Sequence, residues 1–249
     1  MPSIASTRFR RSYWNSIPVY SMATIITILS VLSLTFGCGN HDQLVAAIRA
    51  RDATAVKSIC KSHASLVLAE DAAGRTALDL AIDYNEPEIV QILVDAGSNM
   101  YHESDRLGMP LHAAASFGKL EIVKILLAAG CDINRQPNSE STLADGTALH
   151  SAVRGRKVDV VRFLLEKNAD VNARAKFLDG VTPLHLAAVN DPEEPETIEI
   201  VRLLLENGAD INAKCDDGDT PLVMAMRTSN ANKEGKPLID FLIKKGGKQ

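Results

Sequence analysis

Thr182 to Ala213 reads TPLHLAAVNDPEEPETIEIVRLLLENGADINA, and its pieces return in the same order along the chain. The opening motif recurs at Thr76 (TALD), Met109 (MPLH), Thr147 (TALH) and Thr220 (TPLV), so that the five positions are spaced by 33, 38, 35 and 38 residues. Its closing motif recurs as GCDIN at Gly130–Asn134 and as NADVN at Asn168–Asn172. A repeat of this length is one supersecondary unit that cannot bury its apolar side alone, so the units must stack on one another.

Within each unit, the residue types prescribe a helix pair. Threonine can cap a first helix whose first turn accepts proline. A second helix follows from stripes such as Ile122, Val123, Leu126 and Leu127, or Ile200, Val201, Leu204 and Leu205, whose spacing turns one face inward. Its expected ends are Gly97, Gly130, Asn168, Gly208 and Gly246, because glycine and then asparagine best tolerate the left-handed cap. The step from motif to cap is 21 residues in the units at 76, 109 and 147 but 26 in those at 182 and 220. The added residues fall between the helices, around 190–196 and 229–236, while 135–143 lengthens a turn between units. Loops on a stacked scaffold accept such growth because closure entropy rises slowly with length.

The period, T-P-L-H and G-A-D-I-N together resemble the ankyrin repeat over about Asp42 to Gly247. The resemblance implies an all-α fold, an ankyrin-repeat solenoid of stacked helix pairs with projecting β-turn or hairpin fingers. Six units are expected: a diverged cap at 41–70, then 71–103, 104–137, 138–174, 175–213, and a cap at 214–249. In the first, Leu44, Ala47, Ile48, Val56, Ile59 and Cys60 keep an apolar period, and Asp42, Gln43, Arg49 and Arg51 suit the polar outer side of a terminal unit.

Residues 1–37 have another character. Arg8, Arg10 and Arg11 precede the uncharged run Ala23–Phe36, and Gly37 precedes Cys38. A basic segment, an apolar segment and a small residue are the order of a secretory signal. The Gly37–Cys38 junction resembles a bacterial lipoprotein signal, which implies lipidation of Cys38, although Thr35 stands where an aliphatic residue is usual. Val19–Gly37 would alternatively serve as an uncleaved anchor of 19 mostly apolar residues, barely long enough to span a bilayer. In both readings the arginines stay inside and the body crosses the membrane. The remaining chain holds 24 of the 27 basic residues against 31 acidic ones, a net −7, and this argues against a nucleic-acid partner.

Several side chains invite chemistry. His112, His150 and His185 form a ladder with one member per unit, and stacked helices stand about 8–10 Å apart, too far to share a zinc ion held at about 2 Å. The family resemblance implies that they bond turn backbone instead. His41, His63 and His102 have no partner at a ligand spacing. The acidic run Glu193, Glu194, Glu196 and Glu199 reads as a solvated loop. Cys60, Cys131 and Cys215 lie in non-adjacent units, Cys131 as a buried apolar filler and Cys215 near a turn tip, where exposure is expected. Motifs of known catalytic classes are absent from the sequence, so no catalytic residue, metal site or cofactor is assigned.

The function expected is therefore a monomeric, non-enzymatic protein-binding module, exported and membrane-tethered. Two alternatives are a structural organiser of the envelope without a specific partner and an enzyme without a recognisable motif. The candidate contact residues flank the recurring motif, where the units differ most: Tyr84, Tyr101, Arg106, Phe117, Arg135, Arg154, Arg174, Phe177 and Leu178. Aromatics and arginines dominate interface energetics. Phe177 and Leu178 stand where a polar pair would be the default.

Overall fold

The computed structural model describes residues 40–104, 108–138, 146–190, 194–229 and 236–249. The expectations for residues 1–37, Cys38 and Arg106 lie outside them. Asn40–Gln249 form one compact unit. Among the described residues twelve α-helices lie in order: α1 Asn40–Arg49, α2 Ala53–Ser62, α3 Ala77–Asp83, α4 Pro87–Asp95, α5 Pro110–Ser116, α6 Leu120–Ala128, α7 Ala148–Arg154, α8 Val158–Glu166, α9 Pro183–Val189, α10 Pro195–Glu206, α11 Pro221–Ser229 and α12 Lys236–Lys244. They pair successively, first helices packing on first helices and second on second along the stack. Among the described residues, 70–76, 98–104, 108–109, 131–138, 146–147, 169–182 and 209–220 belong to the fingers between the pairs. Among the described residues these fingers carry no strand, only the antiparallel bridges Glu70–Thr76 and Ser104–Gly108. A 3-10 helix, Ala64–Leu68, follows α2.

A first helix of seven residues is far too short to hold itself together in water. Caps and enclosure on both sides supply what length does not. Thr76, Thr147 and Thr182 each close a capping box with the residue three positions on, respectively Asp79, His150 and His185. Met109 has no hydroxyl and caps nothing. Every residue from Pro110 to Ala115 is buried, and small side chains such as Ala113, Ala114, Ala148 and Ala152 let successive first helices come close. The approach is tightest at Gly155, where a Cβ would stand 2.2 Å from the Ser116 carbonyl oxygen.

The second helices bury the expected stripes. Ile122, Val123 and Leu126 are enclosed in α6 and Ile200, Val201 and Leu204 in α10, while Leu127 and Leu205 pack from the half-buried margin. Pro87 begins α4. At the expected cap Asn168, φ is 61°, the left-handed conformation that Gly97, Gly130, Gly208 and Gly246 adopt at the same place in their units. In the first unit Leu44, Ala47, Ile48, Val56 and Cys60 are buried, with Asp42, Arg49 and Arg51 turned to solvent. Contrary to the expectation that the added residues fall between the helices, only two of the five in the fifth unit lengthen the link between α9 and α10, and the other three extend α10 itself to 12 residues against 9 in α4, α6 and α8.

Two expectations need correction. Cys215 is buried, 7% exposed, because its amide is tied to the Asp219 carbonyl across a tight turn that folds the thiol inward. The acidic run is only partly a loop: Pro195 starts α10, so Glu196 and Glu199 lie in a helix, and Glu199 meets Arg162 at 3.1 Å and Arg202 at 3.8 Å.

Candidate protein-binding surface

The histidine ladder works as a set of struts. In α7 the Thr147 amide donates to His150 Nδ1 at 3.1 Å, which fixes Nδ1 as acceptor and leaves Nε2–H to donate to the Val181 carbonyl at 3.2 Å. In α9 the Thr182 amide donates to His185 Nδ1 and His185 Nε2 reaches the Asp219 carbonyl at 3.1 Å. His112 Nε2 likewise reaches the Gly146 carbonyl at 3.0 Å. Burial disfavours the charged imidazolium and lowers all three pKa values, to about 4 for His112 and His150. These rings are neutral braces between units. No cluster of metal-ligating side chains exists among the described residues.

Asparagine supplies a second set of struts along the fingers. Asn134 Oδ1 accepts the Asp170 amide at 2.9 Å, Asn172 Oδ1 the Asp210 amide at 2.8 Å, and Asn212 Oδ1 the Lys248 amide at 2.8 Å. Each finger thereby holds the next. The recurrence of this asparagine in the motif was the available signal, since a side chain repeated at one register serves the stacking rather than a partner.

The second unit departs from the scheme. Asp79 replaces histidine, its Oδ2 accepting from Thr76 N–H and Thr76 Oγ–H, both at 2.8 Å. Burial pushes its carboxyl up, against the lowering effect of the Thr76 bonds. His102, which has no partner at a ligand spacing in the sequence, comes within 3.6 Å of Asp79 Oδ2 and 3.7 Å of Glu70 Oε1, and its Nε2 bonds the Gly74 carbonyl at 2.9 Å.

The candidate contact residues fall into two sets. Part of the finger set is engaged by the scaffold itself. The Tyr101 hydroxyl accepts the Asp132 amide at 3.2 Å, and the Arg135 guanidinium lies 5.7 Å from the Tyr101 ring. Arg174 bonds the Lys214 carbonyl and Asp216 in the next finger. Leu178 is half-buried and packs against the core, and Phe177, also half-buried, has the Lys176 Nζ 5.1 Å from its ring, so neither member of the apolar pair stands fully exposed.

The second set lies where first helices end. Tyr84 and Phe117 occupy the same register in neighbouring units, at the C-caps of α3 and α5. They remain 37% and 47% exposed. Arg154 ends α7 one register position earlier and is exposed. Lys119, which reads from sequence as a plain surface lysine, organises this edge. Its Nζ donates to the Ile82 carbonyl and, at 3.0 Å, to the Asp83 carbonyl, satisfying the electronegative end of α3, while lying 5.1 Å from the Phe117 ring centroid. The Lys157 stem lies over Gly118 in the next unit.

A depression of about 870 Å³ between α1 and the first finger is lined by groups including His41, Asp42, Arg49, Glu70, Asp71 and Arg75. Arg75 and Asp71 pair there at 2.8 Å. No helix among the described residues is long and apolar enough to cross a membrane.

Comparison with known proteins agrees with this geometry. A model of three-copy ankyrin repeats matches residues 44–137 and 98–175, and a single ankyrin-repeat model matches 179–216. An ankyrin repeat domain from Acinetobacter baumannii superposes with a TM-score of 0.67 at 29% identity, covering 82% of this chain and 98% of that one. Another solved ankyrin repeat protein gives 0.67 at 27%, covering 81% and 96%. Similar curated proteins include an E3 ubiquitin-protein ligase of Caenorhabditis elegans, 32% identical over 48% of this chain, and one of Drosophila melanogaster, 33% identical over 36%. The chain spans only 5% and 3% of their lengths, confined to ankyrin regions. Members of the family generally act as non-enzymatic scaffolds that bind protein partners. With its repeats matched over most of residues 44–216, its units stacked in register and its struts in place, this chain belongs to the ankyrin-repeat family.

Proposed function

We propose that this protein is a non-catalytic scaffold that captures a protein partner along the edge formed by the ends of its first helices, centred on Tyr84, Phe117 and Arg154. The observation that carries this is the pair of aromatic rings held exposed at one register of adjacent units, on a part of the scaffold where neither ring bridges units. Rigid aromatic side chains offer large contact area at small entropic cost, and arginine offers planar pairing. The fingers contribute less, since Tyr101 and Arg174 already bond within the molecule. In-cell crosslinking from position 84 in the full-length chain should yield one dominant protein. A Tyr84→Ala/Phe117→Ala variant should lose it while melting within a few degrees of the wild type; unchanged capture by that variant would move the binding face elsewhere.

The body operates outside the cytoplasm, tethered through a lipid on Cys38. What supports this is the order of arginines, the apolar run Ala23–Phe36 and the Gly37–Cys38 junction in the sequence. Cys38→Ala should abolish acyl labelling and release the protein from the membrane fraction. An unprocessed variant that stays with the membrane would favour the uncleaved anchor.

A further inference from the structure

Independently of any partner, one boundary in the stack is built differently from its neighbours. Between later units a threonine-held histidine braces the next finger, while the finger-to-finger link that asparagine makes there is made from the second unit to the third by the Tyr101 hydroxyl. Between the second and third pairs Asp79 stands for the histidine, so no ring reaches the Gly108 carbonyl, which is instead bonded within its own finger by Ser104. Met109 stands for the capping threonine and brings no hydroxyl, and His112 Nδ1 is without a hydrogen-bond partner. Buried side-chain polar atoms without a hydrogen-bond partner concentrate here: Asp79 Oδ1, Ser98 Oγ and His112 Nδ1 are three of the five found among the described residues.

A buried polar group without a partner is penalised only while it is kept from water. Opening the boundary would therefore return free energy at this place that opening a fully braced boundary would not. Among the described residues, the polar links across it come from His102, to the Gly74 carbonyl and toward the Glu70 and Asp79 carboxylates, and from Lys119 to the Ile82 and Asp83 carbonyls. Both side chains are only partly buried, so water can replace them with little motion. Elsewhere the bracing histidines His150 and His185, at the register of Asp79, are fully enclosed.

We propose that the solenoid opens at the boundary between its second and third helix pairs, residues 40–97 separating as a unit while α5 to α12 stay folded. Stability in a repeat array is a sum of unit and interface contributions, so one deficient interface places a cooperative break inside the array. The device would expose the flanks of α3 and α5 without melting the rest.

Hydrogen exchange followed by mass spectrometry on the full-length protein tests it. Amides of α3 and α4 should exchange at least about tenfold faster than those of α7 to α10, together with α1 and α2, with the step falling between residues 97 and 110. Ordinary end fraying would give a gradual decline toward residue 40 and no step, and would overturn the proposal. An Asp79→His/Met109→Thr variant rebuilds the missing brace and cap, and should shrink the step. A step that persists unchanged in that variant, folded to the same helicity, would also overturn it. If the double variant does not fold, Met109→Thr alone, which only supplies His112 Nδ1 with a donor, is judged by the same criterion.

Discussion

At the residue scale, the behaviour of single side chains follows from what each is enclosed by. Unfolded imidazoles take up protons near pH 6.5, whereas His112 and His150 in the fold resist protonation down to about 4. Between those values the unfolded chain binds more protons, so the stability these rings contribute is complete above pH 6.5 and is lost as pH falls toward 4, at about 1.4 kcal/mol per pH unit for each ring. His185 acts in the same direction. Urea melts at pH 7 and pH 5 should show a marked loss of midpoint, smaller in a His150→Gln variant measured against its own value at pH 7. No change between the two pH values would mean that the rings are not buried neutral. Lys119 supplies a second case. A lysine that satisfies two helix-end carbonyls is structural, and Lys119→Ala should cost about 1–2 kcal/mol, whereas Lys119→Arg should retain part of it. A loss below about 0.3 kcal/mol by denaturant titration would return Lys119 to the plain surface role that the sequence suggests.

At the scale of the element, the second helices hold the stack by their buried stripe. Leu126 in α6 and Leu204 in α10 are fully buried, and truncating either to alanine should cost about 2–5 kcal/mol. The exposed Glu121→Ala, on the same helix as Leu126, should cost less than about 0.5 kcal/mol, since its pair with Lys124 is a surface one. Equal shifts for Leu126 and Glu121 would mean the inward face is misassigned. The first helices obey a different constraint, close approach rather than a stripe. Gly155→Ala would drive a methyl group into the Ser116 carbonyl and should lower the melting temperature by several degrees. Leu178→Ser should also lower it, because that side chain packs on the core, and this separates Leu178 from Tyr84 and Phe117.

At the scale of the whole molecule, each pair meets only its neighbours along the stack, so distant changes should be independent. Leu126→Ala and Leu204→Ala, two units apart, should add within about 0.5 kcal/mol in a double variant, as sites without shared partners do. A larger coupling would mean that strain travels along the solenoid. The sequence by itself determined the repeat, the helix pairs, the caps at Asn168 and the glycines, and the buried stripes, because these depend on spacing within one unit and on local backbone preference. It also distinguished the variable register of Tyr84 and Phe117. Only the tertiary structure decided which variable residues the scaffold itself engages. Arg174 and Tyr101 look as available as Tyr84 and Phe117 in the sequence, yet their bonds run to residues more than thirty positions away. Lys119 and His102 acquire their roles in the same manner, from carbonyls and carboxylates of other units that stacking brings near. The reason is physical: periodicity reports which face of an element is inward, but hydrogen bonds between units depend on distances that exist only after the units have stacked.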